Sequence, residues 1–529
     1  MPFKIKVSDS DDICPDENKN EAEVNRFHRT AKDKEKKGDH MPETLQCFLN
    51  ATSLHGARFL YADNLLRRIV WGLAILASFS VCYYQSYLSM KEFYQRPFIT
   101  KITSKSPERN EIIFPAVTPC NFNNANMKKV RYTLSRNYDL NEEEVAKKAD
   151  QISRILLLSK DTMKDDLDGI DDLFLRDGEA VLKEHGHQID EMLLPNVPPT
   201  FISCSFDGLQ CGATNFTSFI SSFYGQCFTF NSGRNGGQLL KVRMAGKNSG
   251  LKLRLNIQQD AYLKNAKRPF VGMAVLVHDQ KNFPFMEEVS LGVAPGIQTF
   301  YSFKMKQMRS LEAPYQTNCT QRTLQMLSTG DVYNYTKLAC LKKCENQVIV
   351  KKCGCRPPMF YGTSKVCAPN DTVFCVFPAL ESLISSEEQR KCEEDCPLPC
   401  EEKEYESSLS YARLERNIFE EHLMAFLKTS PTHNPSLYSE YQPFLNMTTA
   451  ERRDFIDNNI VSLDVYFSDL HYLEFKQVPS FAPFSFIATL GGFYGLFLGA
   501  SMLSWCEIME YCVRKIYHKM VSTDRRSIN

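Results

Sequence analysis

The sequence predicts an α+β membrane protein. Two transmembrane helices flank one large, disulfide-rich β-core domain with helices at its periphery. Three observations predict it. Two uncharged apolar segments lie toward the ends of a 529-residue chain. Fourteen of its 19 cysteines fall between them. The middle of that intervening stretch alternates apolar and polar residues, as half-buried strands do. Composition excludes other classes. With 63 basic and 63 acidic residues the formal net charge is zero, so the chain lacks the basic surface of a general nucleic-acid binder. Mean hydropathy is negative, which limits the membrane segments to a few.

Residues 1–68 form the expected cytosolic N-terminal region. It opens polar and charge-mixed, with "AKDKEKKGDH" at Ala31–His40, and reads as a disordered tail. "LQCFLNATSLHGARFLYADN", Leu45–Asn64, is more apolar and leads to the membrane. The first span is assigned to residues 69–90, around the uncharged run Ile69–Tyr87. The second is assigned to 481–510, around Phe481–Cys506. Each run reaches the roughly 20 apolar residues a bilayer core requires. Arg67 and Arg68 precede the first; Arg514, Lys515, His518 and Lys519 follow the second. Basic flanks favour the cytoplasm. Both termini, 1–68 and 511–529, are therefore expected inside and residues 91–480 outside. The first span lies too deep in the chain for a cleaved signal peptide.

Cysteine usage supports the same layout. Cys14, Cys47, Cys82, Cys506 and Cys512 fall in the cytosolic or membrane parts, and the other fourteen fall outside. An even number in an oxidising compartment predicts up to seven disulfides. Asn215, Asn318, Asn334, Asn370 and Asn446 head sequons in this region, whereas the Asn50 sequon is on the cytosolic side.

Within 91–480, "NEIIFPAVTPCNFN" is strand-like and 142–195 is charged and helical in pattern. Residues from about Phe201 to Phe303 read as strands, with Leu251, Leu253, Leu255 and Ile257 on one face. "IVSLDVYFSDLHYLEF" is a last strand leading into the second span. The four-residue spacings Cys340/Cys344 and Cys392/Cys396/Cys400 place cysteines on one face of a helix, and two such helices can be laddered by disulfides. "CGC" at Cys353–Cys355 suits a strand or tight loop, with Cys367 and Cys375 nearby. A zinc site is disfavoured by the spacing and the compartment. No enzyme constellation, cofactor motif or metal site stands out.

The second span is crowded with small residues: Gly491, Gly492, Gly495, Gly499, Ala500 and Ser501. They suit close helix packing or a helix broken to expose carbonyls.

Several motifs, in this order, resemble the degenerin/epithelial sodium channel superfamily and most closely its acid-sensing ion channel branch. They are His55-Gly56, "FPAVTPCN", "YGQCFTFN", "LNIQQDAYL", "LGVAPGIQTF", the cysteine cluster and "GLFLGAS", spanning Phe48 to Lys519. The resemblance implies a homotrimer, or a heterotrimer with related subunits, around a pore for sodium, with no cofactor. It implies the pairs Cys120–Cys227, Cys204–Cys211, Cys319–Cys400, Cys340–Cys396, Cys344–Cys392, Cys353–Cys375 and Cys355–Cys367. It makes Gly499-Ala500-Ser501 the selectivity filter and His55-Gly56 a re-entrant motif beneath it. Ala488 falls at the degenerin gating position. Thr489, Gly491, Gly492 and Gly495 fall at the outer pore, Gly495 at a position linked to amiloride block. Glu507 and Glu510 are acidic candidates toward the inner end.

For gating, the sequence departs from the branch. Its acidic pocket retains Glu381, but the partner position is Phe377, and one expected acidic stretch is the basic "LKNAKRPF". Gln226 replaces a basic residue, and the linker before the last strand is Leu470-His471. His185, His187 and His471 remain candidates for sensing mild acid. The reading is therefore a sodium channel subunit with altered or absent proton gating. Gating by a neuropeptide or small ligand is a second reading, and a non-conducting two-span receptor or adhesion subunit a third.

Overall fold

The computed structural model describes residues 48–49, 52–61, 64–107, 111–138, 141–156, 178–197, 201–221, 223–234, 236–263, 269–326, 331–357, 360–428 and 435–527. Cys14, Cys47, Asn50, the N-terminal tail and residues 264–268 lie outside them. The chain divides into two units: unit 1 comprises Met1–Phe98 with Pro479–Asn529, and unit 2 comprises Ile99–Val478.

Unit 2 is built on an eight-stranded sheet. Its axis is the strand Ile297–Arg309, which pairs antiparallel with Glu401–Arg413 and parallel with Ile460–Phe467. Ile460–Phe467 also runs antiparallel to Leu251–Asn256, setting Leu251 opposite Val465, Leu253 opposite Leu463 and Leu255 opposite Val461. All six side chains are buried, as is Ile257. The alternating pattern thus faces one shared core, which is where its apolar area leaves water. The stretch read as one strand is two, Ile460–Phe467 and Tyr472–Pro479, and the gap between them contains Leu470-His471, the linker position the resemblance implies. Asp469 separates them, accepting from the His471 backbone N–H at 3.0 Å in a side-chain-closed turn.

A five-stranded sheet contains Ala116–Asn121 beside Gly225–Phe230, with Cys120 directly opposite Cys227. Helices lie outside these sheets. Met127–Tyr138 and Glu142–Leu156 pack Val130 and Leu134 against Val145, Ala149 and Ile152, the i, i+4, i+7 face of the second helix. Arg416–Leu427, Pro435–Tyr441 and Thr449–Asn459 share a core around Leu423, Tyr441 and Ile456.

Seven disulfides close unit 2, in the pairing the resemblance implies. The helix Lys337–Cys353 begins at Thr336, whose hydroxyl accepts from the Ala339 N–H at 3.1 Å. It carries Cys340 and Cys344 to partners Cys396 and Cys392 on and just past the helix Glu387–Asp395. One expectation here needs correcting. Cys400 is not a third rung of that ladder: the helix stops at Asp395 before Pro397 and Pro399, and Cys400 joins Cys319. Of the two readings of "CGC", the strand is not observed and the tight loop is: the helix ends at Cys353 and Gly354 turns the chain in the left-handed region at φ 75°. Asn215, Asn318, Asn334, Asn370 and Asn446 are all exposed.

In unit 1, Leu65–Gln95 forms one helix, α1, long and apolar enough to cross a membrane. Asn64 caps it, accepting from Leu66 N at 3.0 Å. The second apolar segment is two helices, α2 (Pro483–Leu498) and α3 (Met502–Ser527). Pro483–Leu498 and Met502–Ile516 meet at 72°, and only together do they have the length and hydropathy of a span.

Candidate functional site

The bend between α2 and α3 falls on Gly499-Ala500-Ser501. Gly499 adopts φ 66°, a left-handed conformation that glycine reaches without steric cost. Its N–H still reaches the Gly495 carbonyl at 3.0 Å, and the Ala500 N–H reaches Tyr494 at 3.1 Å. α3 then restarts through a reciprocal cap. The Ser501 N–H donates to Ser504 Oγ at 2.9 Å, and the Ser504 N–H to Ser501 Oγ at 3.3 Å. Among the described residues, no hydrogen bond reaches the Gly499 or Ala500 carbonyl. None reaches the Leu496 or Phe497 carbonyl either, so four backbone acceptors, two of them in the Gly499-Ala500-Ser501 bend, stand unpaired around a break in an otherwise apolar segment.

His55 is the wedge at that break. Its backbone N–H donates to the Leu498 carbonyl at 3.1 Å. Its imidazole occupies the space beside Gly499: a Cβ built there would lie 1.7 Å from His55 Nδ1. Gly56, at φ 82°, turns the chain away, and a Cβ on it would meet Trp71 at 3.0 Å. Phe59, in the short 3-10 turn that follows, stacks on Trp71 of α1 with ring centroids 4.5 Å apart. The Arg58 and Arg67 guanidiniums lie 4.7 and 4.8 Å from the Phe59 ring. The segment before His55 is tied to α3. Ser53 Oγ and Ser504 Oγ are 2.5 Å apart, and Glu507 Oε2 accepts from Thr52 Oγ1 and the Ser53 N–H, both at 3.1 Å. Phe48 stacks on Tyr511 at 4.5 Å.

Glu507 is thereby engaged by the segment around Ser53, whereas Glu510 pairs with Arg514 at 2.8 Å on an exposed face. The sequence reading missed Thr52, Ser53, Trp71 and Ser504. The Ser501/Ser504 spacing was a readable N-cap signal; the other contacts bridge more than 400 residues of sequence or join turn to helix.

Ala488, Gly491, Gly492 and Gly495 follow helical spacing on α2 and are exposed. A Cβ on Gly491 or Gly492 would have no heavy atom within 4 Å. The Thr489 hydroxyl donates to the Ser485 carbonyl at 2.9 Å.

In unit 2 the expected gating residues are dispersed. Leu470 packs on the main core while His471 is exposed, its Nδ1 3.0 Å from Asp469. Glu381 is exposed on the helix Phe377–Leu383, one turn from half-buried Phe377. Gln226 is buried and accepts from Gln188 at 2.5 Å. His185 is buried 3.2 Å from the Thr133 hydroxyl. His187 is also buried. Its Nδ1 donates to Gln258 Oε1 at 2.8 Å, while Nε2 has no hydrogen-bond partner among the described residues. Burial lowers its pKa to about 4, and does the same to His278 and His422. His187 therefore stays neutral in mild acid, contrary to its place among the candidate sensors. Burial instead raises the Glu440 carboxyl, which accepts from Gln258 Nε2 at 2.9 Å. Among the described residues, no three His, Cys, Asp or Glu side chains are grouped to hold a metal ion.

Residues 48–511 match the family described as amiloride-sensitive sodium channel. An acid-sensing ion channel 1C of Danio rerio is 29% identical over 507 residues, covering 91% of this chain and 85% of its own. Human acid-sensing ion channel 2 is 28% identical over 512 residues, covering 93% and 90%. Acid-sensing ion channel 1 of Gallus gallus is 27% identical over 510 residues, covering 92% and 87%. With the family match extending across both apolar segments and the whole disulfide-bonded unit between them, the chain belongs to the degenerin/epithelial sodium channel family of ion channels and is not an enzyme.

Proposed function

We propose that this chain is one subunit of a trimeric, sodium-selective, amiloride-sensitive channel of the plasma membrane, with both termini cytoplasmic. Unit 2 is its extracellular gating domain, and its response to protons is altered or absent. The observation that carries this reading is the pair of unpaired carbonyls at Gly499 and Ala500. Irregular backbone at membrane depth is tolerated where it lines a water-filled path. Three copies around one axis supply a ring of oxygens that can replace part of the hydration shell of a sodium ion. His55 and Gly56 back that ring. Ala488 and the exposed glycines of α2 form a small-residue face that suits a narrow conducting path and a gate that closes at Ala488.

The departures at Phe377 and in the 264–268 stretch favour a second reading for the stimulus, a peptide or other small ligand in place of protons. Phe377 stands where the family's acidic pocket carries the partner of Glu381, so the paired carboxylates of that pocket are not both present in the sequence.

Whole-cell recording of the expressed chain tests both parts. An Ala488→Phe variant is expected to carry sustained, amiloride-blocked sodium current, with little response of the unmodified chain to pH steps. Absence of current from Ala488→Phe at normal surface expression rejects a conducting homotrimer and returns the non-conducting receptor reading. Unchanged sodium selectivity after substitution of Ala500 and Ser501 rejects the filter.

A further inference from the structure

Unit 2 contains a cavity of about 990 Å3 between the helix Lys337–Cys353, the segment 380–393 and the turn around Glu287. Its volume is that of a small-molecule site. Glu381 does not line it, although Leu380 and Leu383 of the same helix do. Phe223, Phe285, Phe360 and Tyr361 wall it. Its lining carries five glutamates against one lysine and one arginine, a surplus that excludes anions.

Two of those carboxylates show what the cavity does with a cation. Lys342 Nζ sits 2.8 Å from Glu288 and 3.5 Å from Glu345. The same ammonium lies 5.6 Å from the centroid of the Phe360 ring. Glu287 repeats the arrangement without the cation. Its Oε1 accepts from Ser221 Oγ at 2.5 Å and from the Tyr361 hydroxyl at 3.1 Å, both neutral donors. No ion pair to Glu287 is present among the described residues. These hydroxyls orient the carboxylate without neutralising it, beside aromatic rings whose faces attract cations.

We propose that this cavity binds an organic cation, a compact apolar or aromatic body carrying an amidinium, guanidinium or ammonium group that pairs with Glu287. A bare metal ion is a poorer fit, because one carboxylate with an oxygen already held by two hydroxyls offers too few ligands.

The test is ligand-observed NMR on the purified full chain in detergent, with benzamidine as probe and neutral benzamide as its isosteric control. Benzamidine is expected to bind, and benzamide about tenfold more weakly or worse. Glu287→Gln keeps the acceptor for both hydroxyls and removes the charge; it is expected to lose about tenfold in benzamidine affinity at an unchanged melting temperature. If that variant fails to fold, Phe223→Ala at the exposed rim is expected to weaken binding in its place. No benzamidine binding to the folded chain, equal affinity for benzamide, or unchanged affinity in the folded variant overturns the proposal. The readout needs no current, so its failure leaves the channel reading standing.

Discussion

Gly499→Ala is the most informative single change at the bend. Two effects add. An L-residue at φ 66° costs about 1–2 kcal/mol. The new Cβ also falls 1.7 Å from His55 Nδ1, so the imidazole must retreat by roughly 2 Å to reach ordinary contact. That retreat strains the 3.1 Å bond from the His55 N–H to the Leu498 carbonyl, worth about 1 kcal/mol. The arrangement of wedge and bend loses about 3 kcal/mol in all, enough to shift its population roughly a hundredfold. Current per surface-expressed subunit and the sodium-to-potassium permeability ratio are both expected to fall. A second change, His55→Gly, empties the space beside residue 499 and should restore part of what Gly499→Ala removes. Gly491→Ala and Gly492→Ala add a methyl where nothing lies within 4 Å, in helical backbone. They should leave the melting temperature unchanged or raise it, by up to about 1 kcal/mol of stability each. Normal current and selectivity in Gly499→Ala, or failure of His55→Gly to change its phenotype, would refute the wedge.

Two further predictions concern unit 2. Cys344→Ser opens a 48-residue loop, but the Cys340–Cys396 bridge one helical turn away already closes nearly the same loop. The loss should be about 2–3 kcal/mol, below the ~4 kcal/mol expected of an isolated bridge, and removing both bridges should cost about 6–7 kcal/mol, more than twice the single loss; thermal unfolding of the oxidised variants measures this. His187, His278 and His422 have folded pKa values of about 4, below the ordinary 6.5. The unfolded chain therefore binds more protons as pH drops from 6.5 toward 4. Their contribution to stability is complete above 6.5 and lost by roughly 2–3 kcal/mol each as pH approaches 4. The melting temperature should decline over that window with a gentler slope in His187→Gln; a flat profile contradicts the burial argument.

What could be read in the sequence was local or countable. The alternation at Leu251, Leu253 and Leu255 defines a strand face, and the structure buries that face. The four-residue spacing of Cys340 and Cys344 needs only helix geometry, and both lie on one helix. The ladder argument failed at Cys400 because it counted spacing through Pro397 and Pro399, where helical hydrogen bonding stops. The apolar pattern from Ile460 to Phe475 does not show the break between its two strands, because Asp469 closes that turn with its side chain; only the linker position at Leu470-His471, taken from the family, marked it. At the candidate site, the cluster of small residues located the break but not what holds it. His55 and Leu498 are hundreds of residues apart, and no periodicity connects them. Glu507 shows the limit most clearly. An acid in an apolar helix reads as a pore charge, yet its carboxylate is bonded to Thr52 and Ser53.

Those bonds explain why the bend is a defined shape rather than a frayed helix. A helix interrupted in an apolar segment leaves donors and acceptors that hydrocarbon cannot satisfy. Here the interruption is satisfied in part. Tyr494, Gly495 and Leu498 carbonyls accept from Ala500, Gly499 and His55, and the Ser501 N–H is taken by Ser504. Ser504 is in turn held by Ser53, and Glu507 holds the backbone of Ser53. Among the described residues the groups left over are the carbonyls of Leu496, Phe497, Gly499 and Ala500 and the N–H groups of Met502 and Leu503. A segment that merely needed small residues for helix packing would have kept its carbonyls in the helical ladder. A break stabilised from both sides, with unpaired acceptors clustered between Leu496 and Ala500, suits a site that binds and releases a cation. Its shape then depends on the N-terminal segment as much as on α2 and α3. Weakening Ser53, Ser504 or Glu507 should therefore alter ion selectivity before it alters the fold of unit 2.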